Sequence, residues 1–146
     1  MDADDEIPAG FERHFRRSPA TDPWEPLWSR RAPGAFTIGL HVREAHCNAR
    51  GLVHGGVLSA LADNAMGLAC SDEAGDAAGL LTVHLSVDYL ASARAGQWLE
   101  VAARPERVGG TIAHGTAEIR ADGEAVARAS AVFRVVRRDK GDPKES

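Results

Sequence analysis

The chain has 146 residues, 44% of them hydrophobic and 26% charged, with a formal net charge of −4. This length fits one domain that buries a core of its own without disulfide or metal staples, and the acidic balance excludes a general nucleic-acid binder, which presents a basic face. The opening MDADDEIPAG has no apolar run and the longest apolar stretch, Val57–Cys70, is short and interrupted, so neither a secretory signal nor a membrane partner is expected and a cytoplasmic location is.

Residues 1–33 read as an N-terminal arm. Gly10–Ser18 (GFERHFRRS) predicts one short helix with Phe11 and Phe15 on one face. The proline-broken run that follows predicts a loop, with Trp24, Leu27 and Trp28 packing the arm onto the body. The folded domain is expected over 34–138, and the charged tail, 139–146, is expected to be disordered. Ala35–Arg43 alternates as a strand should. From His54 to about Asp72, Leu58, Leu61, Ala62, Ala65, Leu68 and Ala69 recur at three- and four-residue spacing, which predicts the one long helix. Nearly its whole circumference is apolar, so it is a buried helix. Ser59, Asp63 and Cys70 interrupt it along one narrow stripe.

Four strands are predicted after the helix. In Leu80–Leu90 the alternation puts Leu81, Val83, Leu85, Val87 and Tyr89 on one face, and Thr82, His84, Ser86 and Asp88 on the other. Trp98–Val108, Thr111–Ala121 and Glu124–Val136 alternate as well. Ala95-Gly96, Gly109-Gly110 and Asp122-Gly123 are hairpin signals, so the last three strands form an antiparallel meander. Strands segregated from one helix indicate an α+β fold. Small residues on the strands (Ala102, Ala103, Ala113, Gly115, Ala117, Ala127, Ala129) let a helix lie close, so the chain predicts one curved antiparallel sheet wrapped around one central helix. The sheet face or edge left bare needs a partner, which predicts a dimer or larger.

The chemistry concentrates where the helix begins. Gly55 and Gly56 let a ligand approach the backbone, and the first turn of a helix offers unpaired N–H donors and a positive dipole end. Together these can hold an oxyanion. Asp63 is a carboxylate carried into an apolar run, and such a group pairs, accepts hydrogen bonds or becomes neutral. It lies roughly 12 Å from Gly55 along the helix axis, too far for both to touch one carbon in one chain. In a two-fold dimer the donor end of one helix could meet the carboxylate of the other. No Gly-x-Ser-x-Gly elbow is present. The six histidines show no metal-ligand spacing and the two cysteines, Cys47 and Cys70, no Cys-x-x-Cys. No metal is expected, and both thiols are expected free.

The string Asn48-x5-His54-Gly55-Gly56-x6-Asp63, followed by a strand bearing Thr82 and then YLASARAGQ, resembles the hotdog-fold acyl-CoA thioesterases of the phenylacetic-acid-degradation type, over about residues 34–137. The resemblance implies a hotdog fold, hydrolysis of an acyl or aryl-acyl CoA thioester, no cofactor, and a double-hotdog homodimer, often paired into a tetramer. It implies that the Gly55 N–H polarises the thioester carbonyl, with Gly56 beside it in the substrate site, and that Asn48 helps hold that oxygen or position the carboxylate. It implies that Asp63 of the partner subunit is general base or nucleophile, and that His54 contacts the thioester and aids thiolate departure. Thr82 falls where some relatives carry a serine that orients the water. Arg94, Arg107, Arg137 and Arg138, at strand ends and turns, are candidates for the CoA phosphates. Two rivals follow from the same scaffold: a non-catalytic acyl-CoA-binding sensor, and a hydratase, for which no second acid–base pair is visible.

Overall fold

The computed structural model describes residues 6–75 and 77–137. Its strands are β1 (Glu12–Arg13), β2 (Trp28–Ala32), β3 (Ala35–His41), β4 (Ala77–Tyr89), β5 (Trp98–Val108), β6 (Ile112–Ala121) and β7 (Glu124–Arg137), and its long helix is α1 (Gly55–Ala74). All seven strands form one antiparallel sheet in the order β1-β2-β3-β5-β6-β7-β4. The long helix and the five longer strands fall within three residues of where hydrophobic periodicity puts them. β5, β6 and β7 are the expected meander. At the β6–β7 joint Asp122 and Gly123 both have positive φ, 48° and 85°, as a two-residue type I′ turn requires.

Two expectations about the chain's course are corrected. Gly10–Ser18 forms no helix: Glu12–Arg13 is a short strand paired with Trp28 and Ser29. The proline-broken run likewise contains β2, whose five residues pair with β3. The prolines sit outside β2, so they do not interrupt its ladder. Ala95-Gly96 does not join paired strands, because β4 lies across the molecule beside β7 and β5 pairs with β3 and β6.

The core sits between the helix and the concave sheet. Val57, Leu58, Leu61, Ala62, Ala65, Met66, Leu68, Ala69 and Cys70 of α1 are buried, against Phe36, Ile38, Leu40, Leu99, Val101, Ile119 and Phe133 of the sheet. The small strand residues do bring the helix close. A Cβ on Gly115 would stand 3.2 Å from the Met66 Cβ and 3.3 Å from the Cys70 Sγ. Ala102 is the exception and points outward, exposed.

The arm adds to both faces of β3. Leu27 is buried in the main core, and Trp24 packs against it. On the other face Phe11 meets Trp98 edge to face at 5.3 Å, and both close over Gly39, where a Cβ would stand 2.4 Å from the Trp98 ring and 2.8 Å from Phe11. Gly39→Ala forces these rings apart. It is expected to lower stability by about 1–3 kcal/mol, read by urea unfolding, with no change of fold.

Two buried histidines tie the arm down. His46 is fully buried. Its Nδ1 accepts from the Arg43 N–H at 2.8 Å, and its Nε2 donates to the Trp24 carbonyl at 2.9 Å. His14 lies tilted beside Phe15 and edge to face with Phe36. Burial pushes both imidazoles below their ordinary pKa of 6.5. Below about pH 6.5 the unfolded chain takes up protons at these sites that the folded chain does not, so stability is lost as pH falls. The melting temperature should drop between about pH 7.5 and pH 5.5, and drop less in His14→Phe.

Candidate active site

The loop before α1 is held from its own residues outward. Asn48 closes it: its Oδ1 accepts from the Arg50 N–H at 2.9 Å and the Leu52 N–H at 3.2 Å. The side-chain oxygen is therefore occupied, and only the amide NH2 is left to act, as a donor. The His54 N–H donates to the His46 carbonyl at 2.9 Å, and the Val53 N–H to Ala93 at 2.8 Å. Leu52 bridges to Arg94, which brings that exposed arginine beside the helix start.

His54 is the N-cap of α1. Its Nδ1 accepts from the Gly56 N–H at 2.8 Å, so in the neutral ring the proton is on Nε2. A Cβ on Gly56 would stand 3.0 Å from that Nδ1, and glycine is what lets the ring fold over its own helix. The Gly56 N–H is thus used internally. The Gly55 N–H, by contrast, has no hydrogen-bond acceptor among the described residues. The helix start therefore offers one free donor at the position the sequence singles out.

Asp63 is half-buried two turns further along. Among the described residues it has no ion-pair partner, and its Oδ1 accepts from the Thr82 hydroxyl at 2.7 Å. This contact corrects the face assigned to Thr82. The register of β4 against β7 shifts between Thr82 and His84, so Val83 is the extra residue of a bulge, and the alternation reverses there. Leu80 and Thr82 lie beside Val135 and Phe133 on the helix side. After the bulge Leu85, Val87 and Tyr89 take that side. Leu81 and Val83, expected inward, are 57% and 66% exposed.

The stripe on α1 is only partly what periodicity suggests. Ser59 and Asp63 both face β4, since their partners there are Tyr89 and Thr82. Cys70 instead is fully buried against β6, its thiol directed at the His114 carbonyl, and burial raises its pKa to about 11. Cys47 and Cys70 are both free thiols. Tyr89 is the residue sequence reading passed over. Its hydroxyl donates to the Gly55 carbonyl at 2.8 Å and is bonded to Ser59. The signal for it was a phenol at the end of the apolar face of a strand.

The arginines separate. Arg94 is at the Gly55 end of the helix. Arg137 is at the other, where its guanidinium donates to the carbonyls of Ala74 and Gly109 and caps the last turn of α1. Arg107 lies on the same end of the sheet, at the end of β5 opposite His114. Arg138 lies outside the described residues. A hollow between the β2–β3 turn and Ala69, Asp72 and Glu73 is also at that end, away from Asp63. No group of three His, Cys, Asp or Glu among the described residues is arranged to hold a metal, and no helix among them is long and apolar enough to cross a membrane.

One long helix packed across a seven-stranded antiparallel sheet defines a hotdog-fold protein. The chain belongs to the thioesterase superfamily, whose family description matches residues 50–128. It is 38% identical over 128 residues, 87% of this chain and 96% of the other, to a Pseudomonas aeruginosa protein named "Putative esterase PA0474". It is 29% identical to human acyl-coenzyme A thioesterase 13 over 101 residues, 66% of this chain and 70% of that one. Among solved structures it is similar to an Asn-to-Asp mutant of the phenylacetic acid degradation protein PaaI from Thermus thermophilus. The TM-score is 0.71 with 27% identity, covering 80% of this chain and 98% of that one.

The cap can be tested apart from any chemistry. His54→Ala removes the acceptor of the Gly56 N–H and is expected to cost about 0.5–2 kcal/mol in urea unfolding. His54→Ser, which supplies another capping oxygen, should recover most of that loss.

Proposed function

We propose that the protein hydrolyses an acyl or aryl-acyl CoA thioester: acyl-S-CoA and water give a carboxylic acid and the CoA thiol. The observation that carries this reading is the pair of committed groups on α1. One is a Gly55 N–H with no internal acceptor, and the other is an Asp63 carboxylate held by the Thr82 hydroxyl. A free amide at the positive end of a helix suits the oxyanion that forms when a thioester carbonyl is attacked. A carboxylate with one oxygen fixed and the other without a partner among the described residues suits a general base toward water, or a nucleophile on the carbonyl. Asn48, with only its NH2 free, is a second donor to that oxygen. His54, protonated on Nε2, donates toward the departing sulfur. Arg94, whose backbone bridges to Leu52, is the one of the proposed arginines placed at this end and the first candidate for a CoA phosphate.

Gly55 and Asp63 lie roughly 12 Å apart along one helix axis, so one thioester needs one group from each of two copies. Two features support a two-fold pairing. β4 is a 13-residue strand at the edge of the sheet, and an edge of that length is a template for another strand. Leu81, Val83, Tyr89 and Leu90 are exposed along it. Beside it, the strip Ala60, Asp63, Asn64, Gly67 of α1 is only half-buried. The reading therefore includes a homodimer with two shared sites, at least, and no metal or redox cofactor.

The test is thiol release from a panel of CoA esters, with sedimentation to read the oligomer. Asp63→Ala should lower kcat by about 10²–10⁴-fold and leave a dimer. Wild-type rates in that variant would sink the mechanism. Ester binding without thiol release by the wild-type protein would favour the non-catalytic sensor instead.

A further inference from the structure

Tyr89 has no chemical role in the reading above, yet it reaches the helix start: the three atoms nearest a Cβ on Gly55 would all be its own. Its ring leaves little room for a side chain at Gly55: a Cβ there would lie 3.2 Å from the ring carbon bearing the hydroxyl. Half of the side chain is exposed, but the hydroxyl turns inward. It donates to the Gly55 carbonyl at 2.8 Å. A phenol has one proton, so in the short contact between Tyr89 and Ser59 the serine is the donor.

The Gly55 carbonyl and the Gly56 N–H belong to one peptide group, and that N–H donates at 2.8 Å to the His54 Nδ1. Ser59, Tyr89, the Gly55–Gly56 peptide and His54 therefore form one directed chain of hydrogen bonds. Each donor is itself an acceptor from the member before it, and such chains polarise and strengthen their links. The direction fixes the end state. With Nδ1 accepting, the imidazole proton is confined to Nε2, the nitrogen that faces away from the helix.

We propose that Tyr89, backed by Ser59, is a positioning residue: it holds the Gly55–Gly56 peptide and through it locks His54 as the Nε2–H tautomer. The same clamp fixes the plane of the turn that presents the Gly55 N–H. Loss of the clamp leaves the histidine free to exchange tautomers and the turn free to tilt, and small misplacements of a catalytic group reduce rate more than binding. In Tyr89→Phe alone, Ser59 can swing back to the Gly55 carbonyl one turn below it, so the double variant is the complete removal.

The experiment compares wild type, Tyr89→Phe and Tyr89→Phe/Ser59→Ala. The first readout is nitrogen-15 NMR of the His54 ring in uniformly labelled protein, assigned against His54→Ser. Wild type should show an unprotonated Nδ1 and a protonated Nε2, and the double variant a mixture of tautomers. The second readout rests on the thioester-hydrolysis reading: kcat should fall about tenfold in the double variant with KM nearly unchanged, and less in Tyr89→Phe. A single Nε2–H tautomer in the double variant overturns the proposal, as does an unchanged kcat beside an altered tautomer. Absence of thiol release from wild type would count against the hydrolysis reading alone, because the NMR arm needs no turnover. If the double variant does not fold, Tyr89→Phe carries both readouts.

Discussion

A one-residue bulge decides what the helix meets. Without the shift at Val83, strict alternation along β4 would turn Thr82 away from α1 and turn Leu81 toward it. Asp63 would then face a leucine, and a carboxylate facing hydrocarbon is neutral or destabilising by several kcal/mol. With the bulge, the hydroxyl of Thr82 lies 2.7 Å from the carboxylate. Among the described residues the half-buried carboxyl meets a hydroxyl and no cation. An acid held by a hydroxyl keeps its second oxygen available, whereas one locked in a bidentate arginine pair does not.

The two glycines at the helix start answer to different neighbours. A Cβ on Gly55 would press on the Tyr89 ring at 3.2 Å, and one on Gly56 would press on the His54 ring at 3.0 Å. One N–H is consequently capped and the other left free. A helix start ordinarily exposes several unpaired donors. Here the histidine cap takes the Gly56 donor and leaves the Gly55 N–H without an acceptor. The loop before it is equally determined. Asn48 fixes its own turn through Oδ1, and the buried His46 anchors the backbone of His54 to the arm through Trp24. The arm that lies outside the family match at 50–128 thus contributes to the rigidity of the site's first turn.

What the sequence made legible follows period and turn chemistry. The helix, the long strands, the meander and the Asp122-Gly123 turn could be read because hydrophobic spacing and φ preferences are local. The stripe of Ser59 and Asp63 was legible for the same reason. What escaped reading depended on register or on distant partners. A bulge leaves no mark on composition, so Thr82 fell on the wrong face. β2 is five residues between prolines and is a strand only because β3 pairs with it. Arg137 resembles any basic residue at a strand end until the last carbonyls of α1 are placed beside it. Tyr89 reads as one more apolar position, and its function depends on a hydroxyl reaching across to another element.

The ends of α1 are fixed by unlike means, and the difference bears on where motion can occur. At its C-terminal end Arg137 binds the Ala74 carbonyl, and Gly75, with φ of 72°, closes the turn onto the Ser71 carbonyl. The arginine comes from β7, which has a strand neighbour on either side. At the N-terminal end the contacts come from the loop and from Tyr89 at the tip of β4, an edge strand paired with β7 alone among the described residues. An edge strand is the part of a sheet that most readily changes its partners. A second strand laid against β4 would therefore act on Thr82 and Tyr89 together, and through them on the carboxylate and on the free amide. Under the proposed pairing of two copies along this edge, the interface and the settings of both groups would share the same thirteen residues.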